Sequence, residues 1–158
     1  MFNFKKKKAM DLYAVISGEI IPIEAVKDEV FSTKMMGDGI GIKPIDNILV
    51  SPEDAIIVSA NENMKHALGI QLKNGVEILL HVGIDTVNLE NKGFELLVSN
   101  GQSVRKGDPL MKIDRNYIKN EGIDDTIMFI VTNSNGKTIT FESKGTVNSA
   151  ENIIGTIK

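Results

Sequence analysis

The sequence predicts an all-β fold: an antiparallel β-sandwich or flattened barrel with Greek-key-like connections and at most short helical turns. Three observations predict it. Short runs rich in Ile, Val, Leu and Thr recur along the 158 residues, as strands require. Gly, Asn, Asp and Pro punctuate them, so each run ends after a few residues. A single stretch reads as helical, and many short strands at this spacing build sandwiches and barrels.

The candidate strands follow in order. Tyr13–Ile16 is closed by Ser17-Gly18, and Gly39–Lys43 is stopped by Pro44. Ile48–Val50 lies between Asp46-Asn47 and Ser51-Pro52, and Ala55–Ala60 runs from Asp54 to Asn61. His66–Leu72 and Val76–Val82 flank Lys73-Asn74-Gly75. Phe94–Ser99 is bounded by Gly93 and Asn100-Gly101, and Leu110–Ile113 follows Pro109. Arg115–Glu121 is the helical turn, with Asp114 as its cap and Gly122 as its stop. Ile127–Thr132, Thr138–Glu142 and Ile153–Ile157 complete the set. With no linker-like stretch and no repeat, residues 11–158 are expected to form one domain behind a flexible basic tail, residues 1–10.

Composition excludes several function classes. Eighteen basic and 21 acidic residues leave a net charge of −3, too little positive charge for a nucleic-acid binder. No apolar run approaches the roughly 20 residues that span a bilayer. Cysteine is absent, which removes disulfides, thiolate metal sites and thiol nucleophiles and suits a reducing cytoplasm. The tail carries Phe2 and Phe4 before Lys5-Lys6-Lys7-Lys8. It is expected to be a solvated terminus making at most weak peripheral contact with anionic lipid.

The two histidines, His66 and His81, lie on either side of the hairpin signal Asn74-Gly75. A two-residue type I′ loop would pair Lys73 with Val76, set His81 opposite Leu68 and set His66 opposite Gly83. Residues 66, 68, 81 and 83 would then share one face, with the histidine backbones about 7–8 Å apart on a diagonal. Gly83 would leave room for the His66 ring. Such a pair suits a phosphoryl acceptor with a hydrogen-bonding neighbour. It also suits the beginning of a zinc site, or two ordinary half-buried histidines.

The stretch Gly75-Val76-Glu77-Ile78-Leu79-Leu80-His81-Val82-Gly83-Ile84-Asp85-Thr86-Val87 resembles the phosphorylation-site signature of glucose-type IIA domains of the bacterial sugar phosphotransferase system. The resemblance extends through Ser17-Gly18-Glu19-Ile20, Val30-Phe31, Met35-Met36-Gly37-Asp38-Gly39-Ile40, Lys43-Pro44, His66-Ala67, Gly93-Phe94-Glu95 and Val104-Arg105-Lys106-Gly107-Asp108. It implies a phosphotransferase component with His81 as phosphoryl acceptor and His66 as the stabilising imidazole. It implies HPr as donor, a IIB domain of a IIBC permease as recipient, and no required cofactor. Val30, Phe31, Met35 and Met36 are expected to surround the site as an apolar docking face, with Asp28 and Asp85 meeting basic residues of HPr. Three positions depart from the family pattern. Met64 replaces a threonine whose hydroxyl would orient the His66 imidazole, Asp54-Ala55 replaces an Asp-Gly turn, and the proline often found after Thr126 is absent.

Other readings use the same residues. A IIA-like regulator would bind its targets according to the phosphorylation state of His81. His81 and Asp85 satisfy the His-x-x-x-Asp spacing of lysostaphin-like zinc peptidases, but no later histidine completes that site. A weak zinc clamp would need His66, His81 and a partner's carboxylate. Lys112, between Met111 and Ile113, is a poor match to the attachment lysine of biotinyl or lipoyl carriers.

Overall fold

The structure, a computed structural model, describes residues 9–158. The basic tail read from the sequence lies almost wholly outside the described residues. Its last position, Met10, already belongs to the first strand.

One eight-stranded antiparallel sheet dominates the molecule. Its strands are β2 (Gly18–Pro22), β3 (Asp38–Pro44), β5 (Ala55–Ala60), β6 (Ala67–Leu72), β7 (Glu77–Val82), β9 (Ser103–Val104), β11 (Ile127–Asn133) and β13 (Gly145–Val147). They lie in the order β13-β2-β3-β11-β7-β6-β5-β9. Two three-stranded sheets complete the fold. One orders β1 (Met10–Tyr13), β14 (Ile153–Ile157) and β12 (Ile139–Phe141) as β1-β14-β12; the other orders β4 (Ile48–Val50), β10 (Pro109–Ile113) and β8 (Phe94–Leu96) as β4-β10-β8. Leu12 and Ile154 from one small sheet and Leu49 and Met111 from the other join Ile40, Leu68, Leu80 and Phe129 of the large sheet in one buried cluster. The architecture is therefore a β-sandwich. Of the two forms expected, the sheets are open and no barrel closes.

Strand β11 explains how the second face of the large sheet is used. Ile127, Phe129 and Val131 enter the main core, while Met128 and Ile130 point the other way into a smaller cluster with Ile23, Val26 and Phe31. Burial on both faces accounts for its unbroken apolar run. The cover comes from residues 23–31: a 3-10 turn (Ile23–Ala25), then helix α1 (Glu29–Ser32) with Asp28 as its N-cap. The Asp28 carboxylate accepts the Val30 backbone N–H at 3.0 Å. Gly41 lets the cover lie close, since a Cβ there would sit 2.8 Å from Ile21 and 3.0 Å from Val26.

The hairpin at Asn74-Gly75 forms, but in a different register. Leu72 N–H bonds to Val76 and Gly75 N–H to Leu72, so the loop holds three residues with Gly75 at φ +84°. Every pair shifts by one: Ala67 faces His81, and Leu68 faces Leu80. An odd loop reverses the parity that an even one would keep. Elsewhere, Ala14, Val15 and Ile16 are fully buried, yet they form no strand. Their backbone bonds to Asn152 and Val50 make them a core-crossing connector. Helix α2 (Arg115–Asn120) has Asp114 as its cap, accepting from Tyr117 N–H at 3.0 Å, and Gly122 follows at φ +74°. Strands β2, β9 and β13 and helix α1 were not expected from the sequence; each is short or rich in Gly, Glu and Pro. Among the described residues, no helix is long and apolar enough to cross a membrane.

Candidate functional site

His81 lies near the end of β7. It alternates away from Ile78, Leu80 and Val82, which fill the main core, and so it falls on the covered outer face beside Leu79. Its ring meets Phe31 of α1 at a centroid distance of 4.9 Å. Phe31 is the buried residue of that short helix, so the cover over the outer sheet face is also the lid of the histidine.

His66 reaches the same place by a route that strand parity does not describe. It belongs to the turn before β6, and its carbonyl accepts the Val82 N–H at 2.8 Å. Directly opposite Val82, an in-strand side chain would point into the core. Because residue 66 precedes the strand, its ring is free of that alternation and meets His81 edge to face, centroids 4.9 Å apart at 77°. The two histidines thus come together for a reason other than the shared face expected. Gly83 has another role too. At φ +79°, a Cβ would collide with the Thr86 methyl and lie 3.0 Å from the Asp124 carbonyl, so its missing side chain makes room for these groups rather than for His66. Thr86 is buried and donates its hydroxyl to the Val82 carbonyl at 2.8 Å, fixing the turn that ends β7.

Both imidazoles are held neutral. Burial pushes the His81 pKa down to about 4, and the neighbouring His66 adds to the fall. The Gly83 backbone and the Asp28 carboxylate pull weakly the other way. Burial also lowers the pKa of His66, whose ring lies between His81 and Phe94, the latter at 6.3 Å. His81 Nδ1 is fully enclosed, and no well-aligned hydrogen bond reaches it.

The remaining expected residues divide. Phe31 is at the histidines, and Asp28 is close enough to act on the charge of His81. Val30 on the cover and Met35 and Met36 in the stretch just after it are exposed apolar side chains, Met35 at 76% exposure. Asp85 is exposed and left-handed at φ +57°, heads the 3-10 turn Thr86–Leu89 without capping it, and is not among the groups acting on either histidine. Phe94 and Asn91 were not singled out from the sequence. Phe94 packs on His66, and Asn91 accepts the Lys65 N–H at 3.0 Å. Phe94 stood within a recognised motif; nothing local marks Asn91. Among the described residues no group of three or more His, Asp or Glu is arranged to hold a metal, so the histidine pair offers two donors and Asp85 does not join them.

The arrangement can therefore present a neutral, shielded imidazole packed against Phe31 and backed by a second imidazole. Known proteins carry similar sequences. The profile of the phosphoenolpyruvate-dependent sugar phosphotransferase system EIIA 1 family matches residues 10–137. A glucose-specific EIIA component of Staphylococcus epidermidis is 42% identical over 83% of this chain and 81% of its own length. A glucose-specific EIICBA component of Staphylococcus carnosus is 45% identical over 90% of this chain, which spans 21% of that longer protein. The solved structure of glucose permease IIA from Mycoplasma capricolum superposes with a TM-score of 0.86 at 38% identity, covering 99% of both chains. With the profile matching most of the sequence and the fold shared from end to end, the chain belongs to the EIIA 1 family of the phosphoenolpyruvate-dependent sugar phosphotransferase system.

Proposed function

We propose that this chain is the phosphocarrier that takes a phosphoryl group from phospho-HPr on His81 and passes it to a IIB domain, as a step in sugar uptake through a membrane permease. The observation that carries the reading is the pair of neutral imidazoles, rings 4.9 Å apart, on a half-buried apolar face. Nδ1 of His81 is enclosed, which leaves Nε2 as the nucleophile. With the proton on Nδ1, the Nε2 lone pair attacks phosphorus. The bond from phosphorus to the carrier's imidazole nitrogen then breaks, and that nitrogen keeps the electron pair. An N–H of His66 donates to a phosphoryl oxygen as charge builds there. The return step repeats this geometry, with a IIB thiolate as the attacking group. Phe31 and Phe94 keep water from the phosphorylated ring.

Docking falls to the exposed Val30, Met35 and Met36 rim, with Asp28 and the more distant Asp85 available to basic groups of HPr. The transfer requires no cofactor, and zinc at the histidine pair would need a third ligand from a partner. The relatives named above are glucose-specific components, and the same sugar is proposed here. The cytoplasm, where HPr would be met, is the proposed location, and residues 11–158 are the proposed IIA domain.

Incubation with Enzyme I, HPr and phosphoenolpyruvate, followed by intact mass and acid lability, tests the reading. One acid-labile phosphoryl group is expected on the wild type and none on His81→Ala. His66→Gln should slow the full relay about 100-fold. An unmodified wild type in the presence of active partners would overturn the assignment.

A further inference from the structure

The imidazole of His66 has to be aimed at the phosphoryl group, and the sequence lacks the hydroxyl expected to aim it, since Met64 occupies that position. Two backbone ties hold the segment that carries the ring. The His66 carbonyl accepts from Val82, one residue beyond His81. The Lys65 N–H donates to Asn91 Oδ1 at 3.0 Å, across 26 residues of chain. Together they clamp the Lys65–His66 dipeptide at its leading N–H and its trailing carbonyl, which fixes the base from which the ring projects. Both tethers come from the continuation of the His81 strand.

Asn91 is itself held in an unusual way. Glu90 and Asn91 are consecutive left-handed residues, at φ +52° and +68°. Among residues with a side chain, Asn tolerates this conformation best, and here it also turns a carbonyl oxygen towards the neighbouring loop. We propose that Asn91 is a positioning residue for His66: it anchors the turn that carries the ring and so sets the imidazole against the phosphoryl site. The assignment rests on the phosphocarrier reading for its catalytic consequence, but the anchoring itself can be measured independently.

Two substitutions separate the roles of Asn91. Asn91→Gly keeps the left-handed backbone without strain and removes the acceptor. Asn91→Asp retains both. Phosphoryl transfer to a IIB domain should fall at least about 10-fold in kcat for Asn91→Gly, with KM for the IIB domain within about 2-fold, because a misaligned group slows chemistry more than docking. Asn91→Asp should recover most of the rate. The ring 1H–15N signals of His66 should shift in Asn91→Gly and return towards wild type in Asn91→Asp. Wild-type kinetics and unshifted His66 signals in Asn91→Gly would overturn the proposal, as would an Asp variant as slow as the Gly variant. A wild type that takes no phosphoryl group would instead strike at the phosphocarrier reading, and the His66 signals would still decide the anchoring.

Discussion

His81 is costly to protonate where it stands. A free imidazole titrates near 6.5, and burial with the adjacent His66 brings this one down to about 4. The unfolded chain therefore binds more protons than the native one between those values. Stability is full above about pH 6.5 and drains as the pH falls towards 4, by up to roughly 3 kcal/mol for a shift of this size. His81→Gln removes that linkage. Urea midpoints at pH 7.5 and 4.5 should fall further for the wild type than for the variant, and equal falls would contradict the buried neutral ring. In the proposed carrier role, phosphoryl acceptance is expected to follow the same titration when measured against pH: level from pH 8 to about 5, then lost as Nε2 gains a proton. At this scale the sequence singled out two residues that the fold does bring together, and misread how it places them. Two histidines around an Asn-Gly signal pointed to the site, yet the pairing argument for their contact was wrong by one residue. The Asn91 anchor was illegible because its meaning depends on two loops that meet only after folding.

The hairpin between β6 and β7 decides which face every residue of those strands occupies. Its three-residue loop sends Ile78, Leu80 and Val82 to the core and His81 to the site. Asn74 supports it by accepting the Val76 N–H at 3.1 Å, and Gly75 adopts the required positive φ. Deleting Lys73 would leave the favoured two-residue Asn-Gly loop between Leu72 and Val76, with Leu68 still opposite Leu80 and Ala67 opposite His81. The variant is expected to keep its native near-ultraviolet circular dichroism, and Lys73→Ala should change stability by less than about 0.5 kcal/mol. Lost near-ultraviolet circular dichroism in the deletion variant would show that the loop, and not the core, enforces the register. Sequence signals near the loop could not choose between the two lengths, since Asn-Gly serves both. The choice lies with the apolar residues five to ten positions away. The same dominance of packing over local signal appears at Ala14–Ile16, apolar enough for a strand and used as a connector. By contrast, the bounds of β4 and β5 were legible, because turn residues close them at both ends.

Strand number and spacing revealed the class of the whole molecule, but strand order was out of reach. Periodicity says which face a residue takes and nothing about which strand lies beside it, so the pairing of β11 with both β3 and β7 had no local signature. Such distant pairings place the protein among slow folders, on a millisecond-to-second scale. One of them joins the ends of the described chain: Met10 of β1 pairs with Ile157 of β14. A chain whose ends are stitched side by side has no obligatory beginning. Linking residue 158 to residue 9 through a short Gly-Ser bridge, and opening the exposed stretch between Ser143 and Lys144, should yield a circular permutant that melts within about 5 °C of the parent and is still phosphorylated. A permutant that cannot fold would mean the order of synthesis matters. Because both ends leave from one spot, the sandwich can be grafted onto either end of a larger polypeptide, or spliced into its middle, without reopening a sheet. That is the geometry of a removable cassette, and a similar sequence occupies about a fifth of the much longer EIICBA component of Staphylococcus carnosus.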